Sequence, residues 1–137
     1  MTDVAVDSRW LSVGRSGSSA EFFVAAERGV LVLRRCTECG HRRIARRDVC
    51  RACGGRTFDW VDACGRGTLV AWGVNPAAPD GGVVRPFGLV ELDEGPWLES
   101  ALDVDPAALL VGLELELVIV RGAEGDPYPA FRPVTRG

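Results

Sequence analysis

The alternation of apolar and polar residues predicts one short helix near the N-terminus and a series of short strands after it. The segment from Ser18 to Gly29 begins with serines that can cap a helix, and Phe22, Phe23 and Ala26 give it an apolar side. An isolated helix of about nine residues is marginal in water, so we expect it to pack on the rest of the chain or on a partner subunit. Residues 1–17 have no apolar periodicity, and we interpret them as an N-terminal tail.

Two short strands flank a segment that is rich in cysteine and arginine. Val30–Leu33 precedes the first cysteine, and Thr57–Val61 follows the segment with alternating polar and apolar residues. Strand, cysteine turn, loop, cysteine turn and strand in this order are typical of a rubredoxin-like zinc ribbon. Together with the helix, the ribbon occupies residues 18–62. A unit of this size cannot bury a core of its own, so we expect metal binding to supply its folding free energy.

The cysteine-rich segment contains two Cys-x-x-Cys pairs, Cys36 with Cys39 and Cys50 with Cys53. Glycine follows each pair directly, and it allows the positive φ that such a turn often needs after its second sulfur. Two facing turns of this kind form the four-sulfur cage that Zn²⁺ prefers, with iron as the alternative metal. A disulfide pair and a redox-active Cys-x-x-Cys are the rival interpretations. Because four thiolates leave no open coordination position, we expect the metal to be structural.

From residue 63 the pattern changes to extended segments separated by turns. A single helical turn is predicted before the fourth of these segments, where Asp105 can cap the turn and Pro106 can begin it. Five strands with this insertion suit a small closed Greek-key barrel, the OB-fold, over residues 63–137. An open meander and an SH3-like barrel are the structural competitors. The expected fold class is mainly β, and the five predicted strands are 67–74, 86–92, 97–104, 113–120 and 130–134.

Charge divides the chain into a basic part and an acidic part. Residues 28–66 contain ten arginines and four acids, whereas residues 67–137 contain four arginines and eleven acids. An acidic barrel argues against the basic groove that single-stranded nucleic acid requires. The chain has no lysine, which excludes Schiff-base chemistry. Cysteines at metal-binding spacing, no secretory-type N-terminus and no apolar run of about 20 residues favour the cytoplasm.

Candidate catalytic side chains are few. The single histidine, His41, lies directly after a cysteine turn, and we expect it to be solvated rather than to act as a general base. Cys64 is outside the four-cysteine set, and we expect a buried or idle thiol. The acidic pairs Asp93/Glu94 and Glu114/Glu116 are interpreted as solvated carboxylates in a turn and on the outward face of a strand. We therefore predict no complete active site in this chain.

Several motifs follow one another in a fixed order along the chain. They are the helix with Phe22-Phe23, Gly29-x-Leu31-x-Leu33-x-Arg35-Cys36-x-x-Cys39-Gly40, Cys50-x-x-Cys53-Gly54, Gly65-x-Gly67-Thr68, Val90-x-Leu92-x-Glu94-Gly95, Leu110-x-Gly112 and Phe131-Arg132-Pro133. Together they resemble a known family, the zinc-ribbon/OB-fold proteins associated with acyl-CoA metabolism, long catalogued as a domain of unknown function. The resemblance covers residues 20–137. The chain departs from the family in having Phe22-Phe23 where Phe-Trp is common, and Ile44-Ala-Arg-Arg47 where prolines often stand between the cysteine turns.

The resemblance implies a non-catalytic accessory subunit that docks on a thiolase-fold aldolase or thiolase acting on acyl-CoA thioesters. Steroid side-chain cleavage is one such reaction. The chain would help to assemble the complex or to hold CoA, with zinc as its structural metal. A single-stranded nucleic-acid-binding protein and a purely structural adaptor are the alternatives. The candidates for CoA phosphate contacts are Arg34, Arg35, Arg42 and Arg43, and the candidates for partner docking are Phe22, Phe23 and Tyr128.

Overall fold

The computed structural model describes residues 5–6, 20–44, 49–74, 86–123 and 125–134. In these residues the chain forms a helix, a small sheet around the cysteine turns, and a closed barrel. The elements are β1 (Ala5–Val6), α1 (Ala20–Glu27), β2 (Val32–Cys36), β3 (Arg42–Arg43), β4 (Phe58–Asp62), β5 (Arg66–Val74), β6 (Pro86–Leu92), β7 (Trp97–Leu102), a 3₁₀ turn (Pro106–Ala108), β8 (Glu114–Arg121) and β9 (Tyr128–Pro133).

Helix α1 ends where the sequence predicts. Gly29 has φ 78°, and its amide donates to the carbonyl of Ala26 at 2.9 Å, while Val30 N donates to Ala25 O at 3.0 Å. These two bonds form a Schellman motif, which explains why the helix stops there. The predicted caps Ser18 and Ser19 lie outside the described residues. In the described part of the chain, no helix combines the length and the apolar character needed to cross a membrane.

The ribbon is a three-stranded antiparallel sheet in the order β3-β2-β4. Strand β2 is central, and Arg34 pairs with Arg43 on one side and with Trp60 on the other. The outer strand β3 has only two residues. The two predicted strands of the ribbon are confirmed with boundaries shifted by one to three residues.

The barrel closes in the order β5-β6-β7-β9-β8, with β8 returning to β5. All neighbouring pairs are antiparallel except β7 and β9, which are parallel through Ala101↔Ala130 and Leu102↔Phe131. This is the five-stranded OB-fold predicted from the sequence, and its closure excludes the open meander. The predicted helical turn is a three-residue 3₁₀ turn, in which the carboxylate of Asp105 accepts from Ala107 N at 3.0 Å.

One hydrophobic core serves both the ribbon and the barrel. Leu31 and Leu33 are 1% and 0% exposed, and they pack in one cluster with the barrel residues Leu69, Leu102 and Phe131. Phe22 of α1 also packs against this cluster, while α1 lies along β9 and β2. The predicted helix therefore docks on its own chain. The ribbon shares the barrel's core at one end and presents its cysteines at the other.

The N-terminal segment contributes one element that the sequence pattern did not predict. Ala5–Val6 forms β1, which pairs in parallel with β8 through Ala5↔Val120 and Val6↔Arg121. The rest of the predicted tail lies outside the described residues.

Candidate functional site

The four cysteines of the two turns converge on one point. Their sulfur atoms all lie within 4.8 Å of one another, with Cys36 Sγ 3.6 Å from Cys53 Sγ and Cys39 Sγ 3.7 Å from Cys50 Sγ. A disulfide requires about 2.0 Å, so these contacts are not disulfides. A tetrahedral Zn²⁺ with bonds of about 2.3 Å separates its sulfur ligands by about 3.8 Å. The four residues are therefore positioned to bind one metal ion in a closed cage.

The backbone around the cage repeats itself in the two turns. Gly40 N donates to Cys36 O, and Gly54 N donates to Cys50 O, both at 2.8 Å. Both glycines have positive φ, 79° and 76°, which an L side chain adopts only with strain. Gly55 N also donates toward Cys53 Sγ at 3.4 Å. Two equal turns facing each other account for the sulfur positions, and they confirm the role that the sequence assigned to the glycines.

The thiols of the cage do not ionise alike. Burial raises the pKa of Cys50, but the amides of Cys53 and Ala52 and the neighbouring sulfurs outweigh it and bring the pKa to about 7. At Cys53 the Gly55 amide lowers the pKa, but the other three sulfurs and burial raise it to about 12. One negative charge therefore forms readily near neutral pH, and four thiolates require a cation at the centre.

A cleft of about 700 Å³ lies beside the cage, between the ribbon and the turn that joins β6 to β7. We call it the ribbon–barrel cleft. Its ribbon wall is basic and carries His41, Arg42, Arg43 and Arg51. This volume is within the range of about 300–1,000 Å³ that is common for small-molecule sites.

The structure separates the four arginines that the sequence proposed for phosphate contacts. Arg42 and Arg43 line the ribbon–barrel cleft, the first exposed and the second buried at 9% exposure. Arg35 forms a two-pronged ion pair with Asp59, with Nη2 2.7 Å from Oδ2 and Nε 3.1 Å from Oδ1. Its charge is therefore already balanced within the ribbon.

Arg34 lies on an aromatic surface instead of in the cleft. Its guanidinium carbon is 4.5 Å from the centre of the Phe58 ring and 5.7 Å from that of Trp60. Trp60 in turn meets Phe22 edge to face, with the ring centres 5.9 Å apart. Cation–π contacts of this kind hold a guanidinium against the protein. Arg34 thus packs the ribbon and does not line the cleft.

The barrel wall of the cleft carries two side chains with fixed positions. Trp97 is 53% exposed, and its indole N–H donates to Glu91 Oε2 at 2.8 Å. Glu94 Oε2 accepts from the Cys64 amide at 2.6 Å, and Glu94 Oε1 is buried with no hydrogen-bond partner in the described part of the chain. The prediction of a solvated carboxylate is wrong for Glu94, because it ties the β6–β7 turn to the linker between ribbon and barrel.

The other acidic and thiol candidates have structural surroundings. Cys64 is exposed as a residue, but partial desolvation of its sulfur and the nearby carboxylates of Glu94 and Asp93 raise the pKa of its thiol. Arg132 reaches Glu116 across the β8–β9 pair at 3.3 Å. Glu116 is therefore part of an ion pair rather than a solvated acid.

The predicted docking residues Phe22, Phe23 and Tyr128 are all half-buried. Tyr128 packs against Val118, Val120 and Ala130, in a small cluster beside the main core. More exposed apolar side chains occur on the β5–β6 hairpin, where Trp72, Val74 and Phe87 are 42%, 42% and 45% exposed. We call these three residues the hairpin patch.

Sequence reasoning missed Arg51, Glu94 and Trp97 as residues of one site. Arg51 is within a cysteine turn, whereas the other two are in and after a turn more than forty positions further on. Only the packing of ribbon on barrel brings them together. Arg51 was recognisable as a basic residue of the ribbon, but no local pattern links it to Trp97.

Comparison with known proteins agrees with this architecture. The rubredoxin-like zinc ribbon domain of ChsH2 matches residues 23–59, and the C-terminal OB-fold domain of ChsH2 matches residues 60–120. A curated relative, the probable enoyl-CoA hydratase alpha subunit of Thermomonospora curvata, is 32% identical over 121 residues. That match covers 84% of this chain but 37% of the relative, so the chain spans little more than a third of its length.

Two solved structures have the same fold. One is described as an Ltp2-ChsH2(DUF35) aldolase, with 28% identity and a TM-score of 0.78 over 90% of this chain and 99% of that one. The other is a protein of unknown function from the DUF35 family of Sulfolobus solfataricus, with a TM-score of 0.60 over 87% of each chain. At 12% identity, the second likeness shows the fold alone.

The two domain matches adjoin, and together they span residues 23–120 in the order that the fold shows. The cysteine cage lies in the first match and most of the barrel in the second. The chain therefore belongs to the ChsH2 family of proteins, which join a rubredoxin-like zinc ribbon to a C-terminal OB-fold domain.

Proposed function

We propose that this chain is a non-catalytic accessory subunit of a thiolase-fold aldolase or thiolase that acts on acyl-CoA thioesters. The observation that carries the proposal is the likeness to the Ltp2-ChsH2(DUF35) aldolase over 99% of the matched chain. The reaction would be carbon–carbon cleavage by the partner, with the CoA ester of a steroid side chain as the substrate class and the cytoplasm as the compartment. In this proposal the cage holds structural zinc and takes no part in the reaction.

The ribbon–barrel cleft supports a role in holding CoA. Coenzyme A carries a pyrophosphate and a 3′-phosphate. Guanidinium groups bind phosphate oxygens through charge-assisted, often two-pronged hydrogen bonds. Arg42 and Arg51 are exposed on the cleft wall, whereas Arg35 is neutralised by Asp59. We therefore assign the phosphate contacts to Arg42, with Arg43 and Arg51 beside it, and not to Arg34 or Arg35.

The hairpin patch supports docking on another protein. Trp72 and Val74 are two residues apart in β5, so they lie on the same face of the β5–β6 pair, opposite Gly88 and Pro86. Phe87 lies on the other face over Gly73, where an added Cβ would come within 2.6 Å of the ring. Exposed apolar groups gathered in one place often mark an interaction surface. A thiolase-fold partner that covers this hairpin would bury both faces.

The test is co-expression and co-purification of the full chain with a thiolase-fold aldolase, followed by assay of carbon–carbon cleavage. We expect a stable hetero-oligomer, with the steroid side-chain CoA ester as substrate. Arg42→Glu should raise KM for the thioester about tenfold or more at unchanged assembly, because it reverses charge at the phosphate contact. The matched control is Arg56→Glu, an exposed arginine of the ribbon that does not line the cleft.

Each alternative function has its own outcome in this experiment. An intact complex with unchanged KM in the Arg42→Glu variant would support a purely structural adaptor and contradict CoA contact. Failure to associate with any thiolase-fold enzyme, together with salt-sensitive retention of single-stranded DNA, would favour nucleic-acid binding. The acidic barrel, with four arginines against eleven acids in residues 67–137, argues against that second outcome.

A further inference from the structure

We propose that the ribbon–barrel cleft is an adenine-nucleotide subsite. In this site Trp97 stacks on the base, Glu94 accepts a hydrogen bond from its exocyclic amine, and Arg42 and Arg51 bind the phosphates. The inference rests on the proposed function and specifies which part of CoA this chain holds: the nucleotide end rather than the thioester end. Four features of the cleft support it, and each has a separate physical basis.

Trp97 offers a flat apolar surface with a fixed orientation. Its side chain is 53% exposed although it lines a concave site, and the bond from its indole nitrogen to Glu91 at 2.8 Å holds the ring. Trp97 and Glu91 are direct cross-strand partners, so the backbone register sets this contact. An immobilised, accessible indole is suited to stacking, because every nucleobase has a π face that an aromatic ring can cover.

Glu94 offers an acceptor that the described part of the chain leaves unsatisfied. One carboxylate oxygen is held by the Cys64 amide at 2.6 Å, while Oε1 is buried and makes no hydrogen bond in the described residues. A buried acceptor without a donor is costly, so a ligand that brings an N–H gains affinity there. Adenine has an amine at C6, whereas hypoxanthine has a carbonyl oxygen that this carboxylate would repel. The acceptor therefore favours adenine.

Arg42 and Arg51 bring positive charge to the cleft from different parts of the ribbon. Arg42 is in β3, just after the first cysteine turn, and Arg51 is inside the second turn. The metal cage joins those two turns, so metal binding fixes the spacing between the two backbone positions from which the guanidinium groups extend. Both side chains are exposed, and guanidinium groups are well matched to phosphate oxygens.

The size of the cleft suits a nucleotide. Its volume of about 700 Å³ falls in the middle of the range for small-molecule sites. Ile44 and Pro96 add apolar surface to the lining, so base and phosphate would meet different parts of one cleft. This division matches a ligand that is aromatic at one end and anionic at the other.

The test titrates the metal-loaded full chain with adenosine 3′,5′-bisphosphate, the nucleotide end of CoA, and separately with pantetheine, followed by calorimetry and amide chemical shifts. We expect saturable binding of the bisphosphate, shifts confined to the cleft, and no binding of pantetheine. Trp97→Ala should weaken nucleotide binding about tenfold, whereas Trp97→Phe should keep most of it, because an aromatic face remains. Arg51→Ala should weaken it as well, and Arg56→Ala should not.

Glu94→Gln provides a readout that a merely structural role would not change. The wild-type chain should prefer the adenosine bisphosphate to inosine 3′,5′-bisphosphate. The glutamine amide can donate to the carbonyl of hypoxanthine, so the variant should lose or reverse that preference. A preference that is unchanged in Glu94→Gln, or binding that is insensitive to Trp97→Ala, would overturn the proposed subsite.

The failure of this inference is distinguishable from failure of the proposed function. If the bisphosphate does not bind while Arg42→Glu still raises KM in the hetero-oligomer, the chain contacts CoA but not through an adenine subsite. If the bisphosphate binds as described and no thiolase-fold partner associates, the subsite stands and the accessory role is wrong.

Discussion

The ribbon and the barrel are stabilised by different means. In the barrel, side chains with 0–1% exposure form the main core: Leu69, Val90, Leu92, Leu102, Leu115 and Phe131. In the ribbon, the buried apolar residues besides the cysteines are concentrated at the start of β2, and the remainder of the sheet is held by the cage, ion pairs and cation–π contacts. The barrel thus depends on apolar burial, whereas the ribbon depends on its metal.

Strand β2 belongs to both regions, and this explains how they influence each other. Leu33 is fully buried in the shared core, and three residues later Cys36 is a cage ligand. Arg34 and Arg35 stand between them and turn to opposite faces, one to the aromatic rings and the other to Asp59. Only two residues therefore separate the apolar core from the metal ligand. If either end of β2 becomes disordered, the paired strand β3 should be disturbed as well. Because β3 forms part of the ribbon wall, the ribbon–barrel cleft should then change too.

The largest expected effect follows from removing a cage ligand with Cys36→Ser. Structural zinc contributes apparent binding free energies of about 10–16 kcal/mol in zinc-finger peptides, as much as the whole stability of a typical domain. The variant should lose its metal, and the ribbon amides should lose protection from hydrogen exchange. Metal content by mass spectrometry and exchange by NMR measure both results. The barrel amides should stay protected, with a lower melting temperature because Leu31 and Leu33 loosen.

Cys64→Ser is the matched control for that experiment. Cys64 is an exposed thiol outside the cage, and its raised pKa keeps it protonated near neutral pH. The substitution should leave metal content and ribbon protection unchanged. A Cys36→Ser protein that keeps its metal, or whose ribbon remains as protected as in the wild type, would show that the cage is not what orders the ribbon.

An intermediate effect is expected for Leu33→Ala, which tests the shared core. Leu33 is 0% exposed, and truncation of such a buried leucine costs about 2–5 kcal/mol. Because the side chain belongs to the ribbon but packs among barrel residues, the loss should lower the unfolding free energy of the whole chain while metal content stays normal. Denaturant unfolding measures it. Leu110→Ala, at a site 55% exposed, should change the midpoint little, and an equal effect there would contradict the shared core.

Local residue patterns were enough to predict the cage and the barrel. The spacing of the four cysteines with a glycine after each pair specifies two equal turns, and the structure brings the sulfurs within 4.8 Å. The alternation in residues 113–120 predicts a strand, and β8 is present there. The turn residues at Asp93–Gly95 predict a hairpin, and this turn joins β6 to β7. Such features depend on neighbours in sequence, so their prediction did not need tertiary contacts.

The cleft depended on contacts that no local pattern encodes. The sequence predicts a solvated Glu94, because a turn usually exposes its acids. In the structure the Cys64 amide, thirty positions earlier, donates a hydrogen bond to one of its carboxylate oxygens. Arg34 and Arg35 are adjacent in sequence and looked equivalent, but alternation along β2 sends them to different faces. The pairing of Ala5–Val6 with β8 was missed for the same reason, since two residues carry no periodicity.

The smallest effect is expected for Asp59→Asn, which tests the charge contacts of the ribbon. The hydrogen bonds from Arg35, opposed in part by burial, hold the pKa of Asp59 below its usual value. A carboxyl group whose pKa is lower in the folded state stabilises above its unfolded pKa of about 3.9, and this contribution is lost as the pH falls through the folded pKa. At pH 7 the wild type should therefore have a higher free energy of unfolding than the Asp59→Asn variant. The difference should be smaller than that expected for Leu33→Ala, because both partners of the ion pair are partly exposed. The difference should vanish on acidification.

Urea unfolding midpoints in excess zinc measure the stability difference between the wild type and Asp59→Asn, and a carboxyl ¹³C titration of Asp59 checks the pKa directly. Asp62→Asn, which removes a 3.8 Å pair between more exposed groups, should lower the stability at pH 7 by less than Asp59→Asn does. A pKa of Asp59 at or above its usual value would mean that the pair with Arg35 does not stabilise the ribbon, and would leave the cage, the shared core and the cation–π contacts of Arg34 to hold it.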